Sequence, residues 1–166
     1  MLKIEQLAPL HDVERFDCGS NILNNVLKKR ARKHAERSVS RTYVLTDHSK
    51  PKVILGYVTL TLCEVLLNQR ADRRMRYSDE SRQAAKLARL ATSKKEQHHG
   101  YGALLVVYAM QRVLEISDHM GLVGLYVDLK DEIASGYYRQ FDFINLKDNE
   151  RTMFLPTESI RKALTE

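Results

Sequence analysis

The chain has 166 residues, enough for one domain around a single core, and its 43% hydrophobic and 29% charged residues are the balance of a globular protein. No apolar run approaches the roughly 18 residues of a membrane span, and the charged opening MLKIEQLAPLHDVERF has no signal-peptide core. The net charge of +6 is unevenly placed: residues 28–37 (KKRARKHAER) sum to +5 and residues 70–76 (RADRRMR) to +3, so the remainder is slightly acidic.

Clusters of this kind suit a polyanion, with nucleic acid the usual partner, or a solvated surface that only aids solubility. Cys18 and Cys63 lie far apart and form no CxxC pair. They imply a reducing, cytoplasmic setting rather than a disulfide framework.

In chain order, LKIEQL (2–7) predicts a first short strand. Residues 20–37 predict one helix, capped by Ser20, with Leu23, Val26, Leu27, Ala31 and Ala35 on the apolar face and Lys28, Lys29, Arg32, Lys33 and Arg37 opposite. RTYVLTD (41–47) and the β-branched run 53–67 predict two strands around the turn HSKPK. Residues 68–84 read as a polar, basic loop with a helical turn, and KLARLATS (86–93) as a strand. The apolar stretch 102–120 predicts a helix ending near Gly121. A strand over 122–129, a short helix over 131–141, a hairpin from FINL and RTMFL, and a C-terminal tail complete a mixed α/β layer. Asp128 and Asp131 read as caps of the short helix.

The stretch EQHHGYG (96–102) sits between a strand and the apolar helix. Glycines at such a turn expose backbone N–H groups at a helix N-terminus, where the helix dipole favours a phosphate and the missing Cβ permits close approach. Lys94 and Lys95 add positive charge just upstream. A plain turn would use the same glycines. Adjacent His98 and His99 diverge and no other cluster has ligand spacing, so no metal is expected. The spacing is GxG without a third glycine, which does not fit a dinucleotide fold.

QHHGYG (97–102) matches the Q/R-x-x-G-x-G/A signature of the GNAT acetyltransferases. LARLAT (87–92) is similar to the splayed fourth strand of that fold, and GYYRQFDF (136–143) to its late FYxxFGF element. FDCGSNILNNVLKKRA (16–31), SRTYVL (40–45) and ILGYVTLT (54–61) resemble one subgroup, the acetyltransferase toxins of type II toxin–antitoxin pairs. The chain departs from the pattern at Tyr137 (usually Phe), at Asp142 (usually Gly), at Thr92 (usually Val), and in YSDESRQAAK, which stands where a Pro-containing segment is usual.

The resemblance implies a single GNAT domain over 1–166, with a mixed central sheet, a splayed strand pair and flanking helices. It implies acetyl-CoA as co-substrate, without a metal, its pantetheine arm paired with Leu90, Ala91 and Thr92 and its pyrophosphate on Gln97, His98, His99, Gly100, Tyr101, Gly102 and Ala103. It implies acetylation of the α-amine of aminoacyl-tRNA, a block of translation, and neutralisation by a ribbon-helix-helix antitoxin; such toxins are often homodimers.

Ile133, Tyr137 and Phe141, at i, i+4 and i+8, predict a core stripe with Tyr138 at its edge. Tyr138 also matches the family's general acid, and a phenol near pKa 10 is suited to protonate a departing thiolate. The basic residues Lys29, Lys33, Arg37, Arg73, Arg74 and Arg76 are the candidate RNA-phosphate contacts. The alternative is a GNAT enzyme acting on a small amine or on a peptide or protein amine. The basic clusters disfavour a small cationic amine.

Overall fold

The computed structural model describes residues 1–66, 81–130, 132–146 and 149–165. Seven strands hydrogen-bond in the order β1-β2-β3-β4-β5-β7-β6, a mixed sheet flanked by helices. They are β1 (Leu2–Gln6), β2 (Arg41–Asp47), β3 (Gly56–Leu66), β4 (Ser81–Thr92), β5 (Gly124–Asp128), β6 (Ile144–Leu146) and β7 (Asn149–Pro156). The helices are α1 (Asn21–Lys29), α2 (Ala31–Glu36), α3 (Tyr101–Ser117), α4 (Glu132–Arg139) and α5 (Thr157–Thr165). No helix among the described residues is long and apolar enough to cross a membrane. The contacts group the chain into two compact units, Met1–Thr61 with Ala88–Ala109, and Leu62–Leu87 with Met110–Glu166.

In the first unit β1 and β2 pair antiparallel, Leu2↔Asp47 through Gln6↔Tyr43, and β2 pairs with β3 from Arg41↔Leu60 to Leu45↔Gly56. Ser20 caps α1, its Oγ accepting from the Leu23 N–H at 3.3 Å. Val26 and Leu27 are buried on the predicted apolar face. Leu27 belongs to a core that also holds Val13, Phe16, Ala31, Val44, Ile54, Tyr57 and Ala91. Phe16 meets Tyr57 edge-on at 5.5 Å, and the Tyr57 hydroxyl donates to the Leu23 carbonyl at 2.7 Å.

The single helix expected over 20–37 is two helices, broken at Arg30 (φ −120°). The break lets α2 face the loop after β1: Arg32, expected in solvent, donates to the carbonyls of Ala8 and His11 at 3.0 and 3.1 Å. Buried His11 braces the same loop, its Nδ1 accepting from the Ala8 N–H and its Nε2 lying 2.9 Å from Glu5 Oε1.

In the second unit the parallel β4–β5 ladder has two rungs, Ala85↔Leu125 and Lys86↔Tyr126, the short ladder of a splayed pair. β7 pairs antiparallel with β5, Gly124↔Pro156 through Asp128↔Thr152, and with β6 across a bulge at Asn145/Leu146. A side chain at Gly124 would collide with the Leu155 carbonyl and the Phe154 ring, so only glycine fits that rung. Val65, Ala84 and Phe154 form the local core.

Two further sequence expectations change. Residues 81–84 belong to β4 rather than to the basic loop, whose residues 67–80 lie outside the described set. The expected tail is the helix α5, anchored by fully buried Ile160 and by Thr157 Oγ1 donating to the Leu122 carbonyl at 2.8 Å. Asp128 ends β5 and pairs with Lys86 at 2.8 Å. Asp131 lies outside the described residues.

Candidate functional site

The phosphate-type turn lies wholly in the first unit. β4 ends in Leu90, Ala91 and Thr92, with Ala91 buried and its neighbours half-buried. The Ser93 N–H donates to the Leu55 carbonyl at 2.8 Å, a 3-10 turn covers Lys94–Glu96, and Gln97 is extended. His98 (φ 72°) and Gly100 (φ 77°) then adopt left-handed conformations. For His98 that backbone is costly and persists only where its surroundings enforce it. α3 starts at Tyr101, and its first-turn bond is Leu104 N–H to the Gly100 carbonyl, 3.2 Å. The amides of Tyr101, Gly102 and Ala103 therefore precede the helical ladder and form the positive end of a long helix. Positive φ at His98 and Gly100 just before a helix can turn backbone N–H groups into a nest, a shape suited to an anion.

The histidines have separate occupations. His98 is exposed; His99 Nδ1 lies 3.4 Å from Glu96 Oε2, and its ring meets Tyr101 edge-on at 5.5 Å. Among the described residues no group of three His, Cys, Asp or Glu is placed to hold a metal ion.

Gly56, on β3, escaped sequence reasoning. A Cβ there would stand 2.9 Å from the Ala91 carbonyl oxygen and 3.0 Å from Leu105 Cδ1. The missing side chain lets β3 approach the end of β4. Asp17 also escaped it. Its Oδ1 accepts from the Gly19 N–H at 2.9 Å and from Asn24 Nδ2 at 3.0 Å, and its Oδ2 pairs with Lys94 Nζ at 3.1 Å. The Gly19 amide, then Asn24 and Lys94, hold this carboxyl down at about 2. Lys94 is thus not a free cation beside the turn. A signal existed in FDCG…N, but only a structure pairs Asp17 with a residue 77 positions on.

In the second unit Tyr138 is buried on α4, its ring edge-on to Tyr137 and to Phe143, both at 5.3 Å. Tyr137 meets Phe141 at 5.6 Å. The predicted stripe is displaced by about one residue. Ile133 is 85% exposed, Tyr137 and Phe141 are half-buried, and the buried side of α4 carries Ser135 and Tyr138. The i, i+4 spacing suits both faces, and packing selects the one that seats Tyr138 on Phe143. Burial, and then Tyr137, raise the Tyr138 hydroxyl above the usual tyrosine value, so it keeps its proton at neutral pH. On the sheet, Lys86 Nζ lies 6.0 Å from the Tyr126 ring centre, and burial with the Asp128 charge pushes Tyr126 up to about 12.

Lys29, Lys33 and Arg37 are all exposed, at or near the C-terminal ends of α1 and α2. The helix dipole favours cations there, which accounts for part of the cluster without any ligand. Arg73, Arg74 and Arg76 lie outside the described residues.

No protein-family model matches the sequence. Named relatives and solved structures do. A tRNA-acetylating toxin of Mycobacterium tuberculosis is 28% identical over 138 residues, covering 83% of this chain and 81% of the relative. The structure of AtaT complexed with acetyl-methionyl-tRNAfMet superposes with a TM-score of 0.90 at 30% identity, covering 99% of both chains. A tyrosine-to-phenylalanine mutant of AtaT, bound to the C-terminus of the antitoxin AtaR and to acetyl-CoA, superposes at 0.83 with 32% identity and 99% of both chains covered. The chain belongs to the GNAT acetyltransferase toxins of toxin–antitoxin systems.

Proposed function

We propose that this protein acetylates the α-amine of aminoacyl-tRNA with acetyl-CoA, stops translation, and is held in check by a ribbon-helix-helix antitoxin. The observation that carries the reading is the nest made by His98 and Gly100 at the start of α3, in a chain that is similar over its whole length to a toxin bound to acetylated methionyl-tRNA. The amides from His98 to Ala103 hold the pyrophosphate, with Gln97 at their edge. The backbone of Leu90, Ala91 and Thr92 pairs with the pantetheine arm as an added strand would, and one of those N–H groups polarises the thioester carbonyl.

The acceptor is an α-amine, which titrates near pH 8 and is partly neutral at physiological pH without a strong base. As the amine nitrogen bonds to the carbonyl carbon and the carbon–sulfur bond breaks, the Tyr138 hydroxyl gives its proton to the leaving sulfur. The proton lost by the amine restores the phenol. Lys29, Lys33 and Arg37, with Arg73, Arg74 and Arg76, hold RNA phosphates and carry little sequence information.

The test is a reaction of purified protein with labelled acetyl-CoA and total charged tRNA, run beside free amines and peptides. Label on RNA that mild base releases with the aminoacyl ester is the expected result. Label confined to amines or peptides keeps the acetyltransferase activity, refutes the tRNA acceptor and leaves the basic face a solubility feature.

A further inference from the structure

We propose that Asp17 is a positioning residue for the cofactor's pyrophosphate loop, acting through Lys94 and Asn24 rather than by touching the cofactor. The inference rests on the acetyl-CoA reading above. A carboxylate so close to an anion site would, by charge alone, oppose binding. Here both carboxylate oxygens have partners. Gly19 N–H and Asn24 Nδ2 share Oδ1, Lys94 Nζ takes Oδ2, and the Lys94 N–H donates to the Asp17 carbonyl at 2.9 Å. Lys94 is therefore fastened twice to one residue, through its backbone and its side chain.

The anchor is itself braced by hydrogen bonds. Gly19 (φ 91°) turns its amide back toward Asp17, and buried Asn24 closes the ring by accepting from the Cys18 N–H at 2.9 Å while donating to Asp17. A second tie reaches the same segment, from Gln97 Nε2 to the Cys18 carbonyl at 3.5 Å. The loop from 93 to 100 is thus held at Ser93 by Leu55, and at Lys94 and Gln97 by residues 17 and 18. Those ties lie immediately before His98, whose left-handed backbone aims the nest and needs outside support. A loop fixed in advance loses little freedom when an anion arrives. The FDCG…N segment then has a task in this enzyme: it sets the position of the loop that follows β4.

Isothermal titration with free coenzyme A tests this, because charge and positioning predict opposite signs. Asp17→Ala removes a negative charge near an anion site. Positioning predicts a Kd raised about tenfold or more, a matching rise in the acetyl-CoA KM, and kcat at saturating acetyl-CoA within about twofold of wild type. Asn24→Ala, which changes no charge, should weaken binding in the same direction. Lys94→Arg should restore near-wild-type Kd where Lys94→Met does not. The double variant Asp17→Ala/Lys94→Met should be no weaker than Asp17→Ala alone, since the Lys94 side-chain tie is already lost in that single variant.

Thermal melting checks that each variant is folded, and a variant that melts below the titration temperature is replaced by Asn24→Ala. Unchanged or tighter binding in Asp17→Ala and Asn24→Ala overturns the inference while leaving the cofactor reading standing. Additive loss in the double variant also overturns it, by making Lys94 a phosphate ligand in its own right. A wild-type protein that binds no coenzyme A overturns the cofactor reading and the inference together.

Discussion

Replacing Tyr138 by Phe removes one oxygen and leaves the ring. The edge contacts with Tyr137 and Phe143, both at 5.3 Å, survive, and no core volume is lost. The melting temperature should therefore stay within about 2 °C of wild type. Coenzyme A affinity should also hold. Turnover should not: loss of a general acid costs roughly 10²–10⁴ in rate, or about 3–5 kcal/mol of barrier at 1.36 kcal/mol per decade.

The pH profile sharpens the test. Burial holds the Tyr138 proton above the ordinary tyrosine range, so the acid stays loaded well past neutrality. The wild-type rate should climb as the acceptor α-amine loses its proton near pH 8, with no fall before about pH 10. The assay is single-turnover transfer of labelled acetyl to aminoacyl-tRNA from pH 6 to 10, with growth arrest on induction as a second readout. A Tyr138→Phe enzyme that keeps more than about a tenth of wild-type turnover refutes the role. So does a loss of turnover matched by an equal loss of coenzyme A affinity and of folding stability, which would make Tyr138 a structural residue.

Gly56→Ala places a methyl against the Ala91 carbonyl and Leu105, so it should cost about 1–3 kcal/mol of stability by overpacking and raise the acetyl-CoA KM; an unchanged denaturant midpoint and KM would refute the close-approach argument. The triple variant Lys29→Ala/Lys33→Ala/Arg37→Ala should lower the slope of log affinity for tRNA against log salt by roughly 2, at about 0.7–0.9 per lost phosphate contact, while coenzyme A binding stays put; an unchanged slope assigns the cluster to solubility. Asp17, lowered to about 2 from an ordinary value of 3.8, contributes stability that is complete above about pH 4 and is lost as pH falls toward 2. The difference in melting temperature between wild type and Asp17→Asn should therefore shrink over that window, and a difference independent of pH would refute the role of the Gly19, Asn24 and Lys94 contacts in holding the carboxylate charged.

Much of the fold was legible because it is written in local periodicity. β-Branched residues mark β2 and β3, and the apolar stretch after Gly102 marks α3 to within a few residues of its ends. The turn QHHGYG was legible as well, since Gly100 before a helix signals an unusual backbone. Its partner irregularity at His98 was not, because histidine carries no such signal and is held left-handed by its surroundings. Asp142 is similar. It takes φ 71° where the family usually has glycine, and among non-glycine residues Asp and Asn tolerate that region best. α5 was missed although Glu158 lies in its first turn and Lys162 in its last. Nine residues give too short a pattern, and the burial of Ile160 that stabilises the helix is tertiary.

By itself the sequence determined most of the helical and strand segments, that a glycine turn opens the long helix, that the positive charge gathers on 28–37, and that Tyr137 and Tyr138 share a helix. Each follows from interactions between residues a few positions apart. The tertiary structure decided which side of each element is used. It broke the first helix at Arg30 and turned Arg32 inward, left Ile133 in solvent while burying Tyr138, and joined Asp17 to Lys94. Those choices depend on partners far away in the chain, where desolvation and hydrogen-bond satisfaction outweigh local preference.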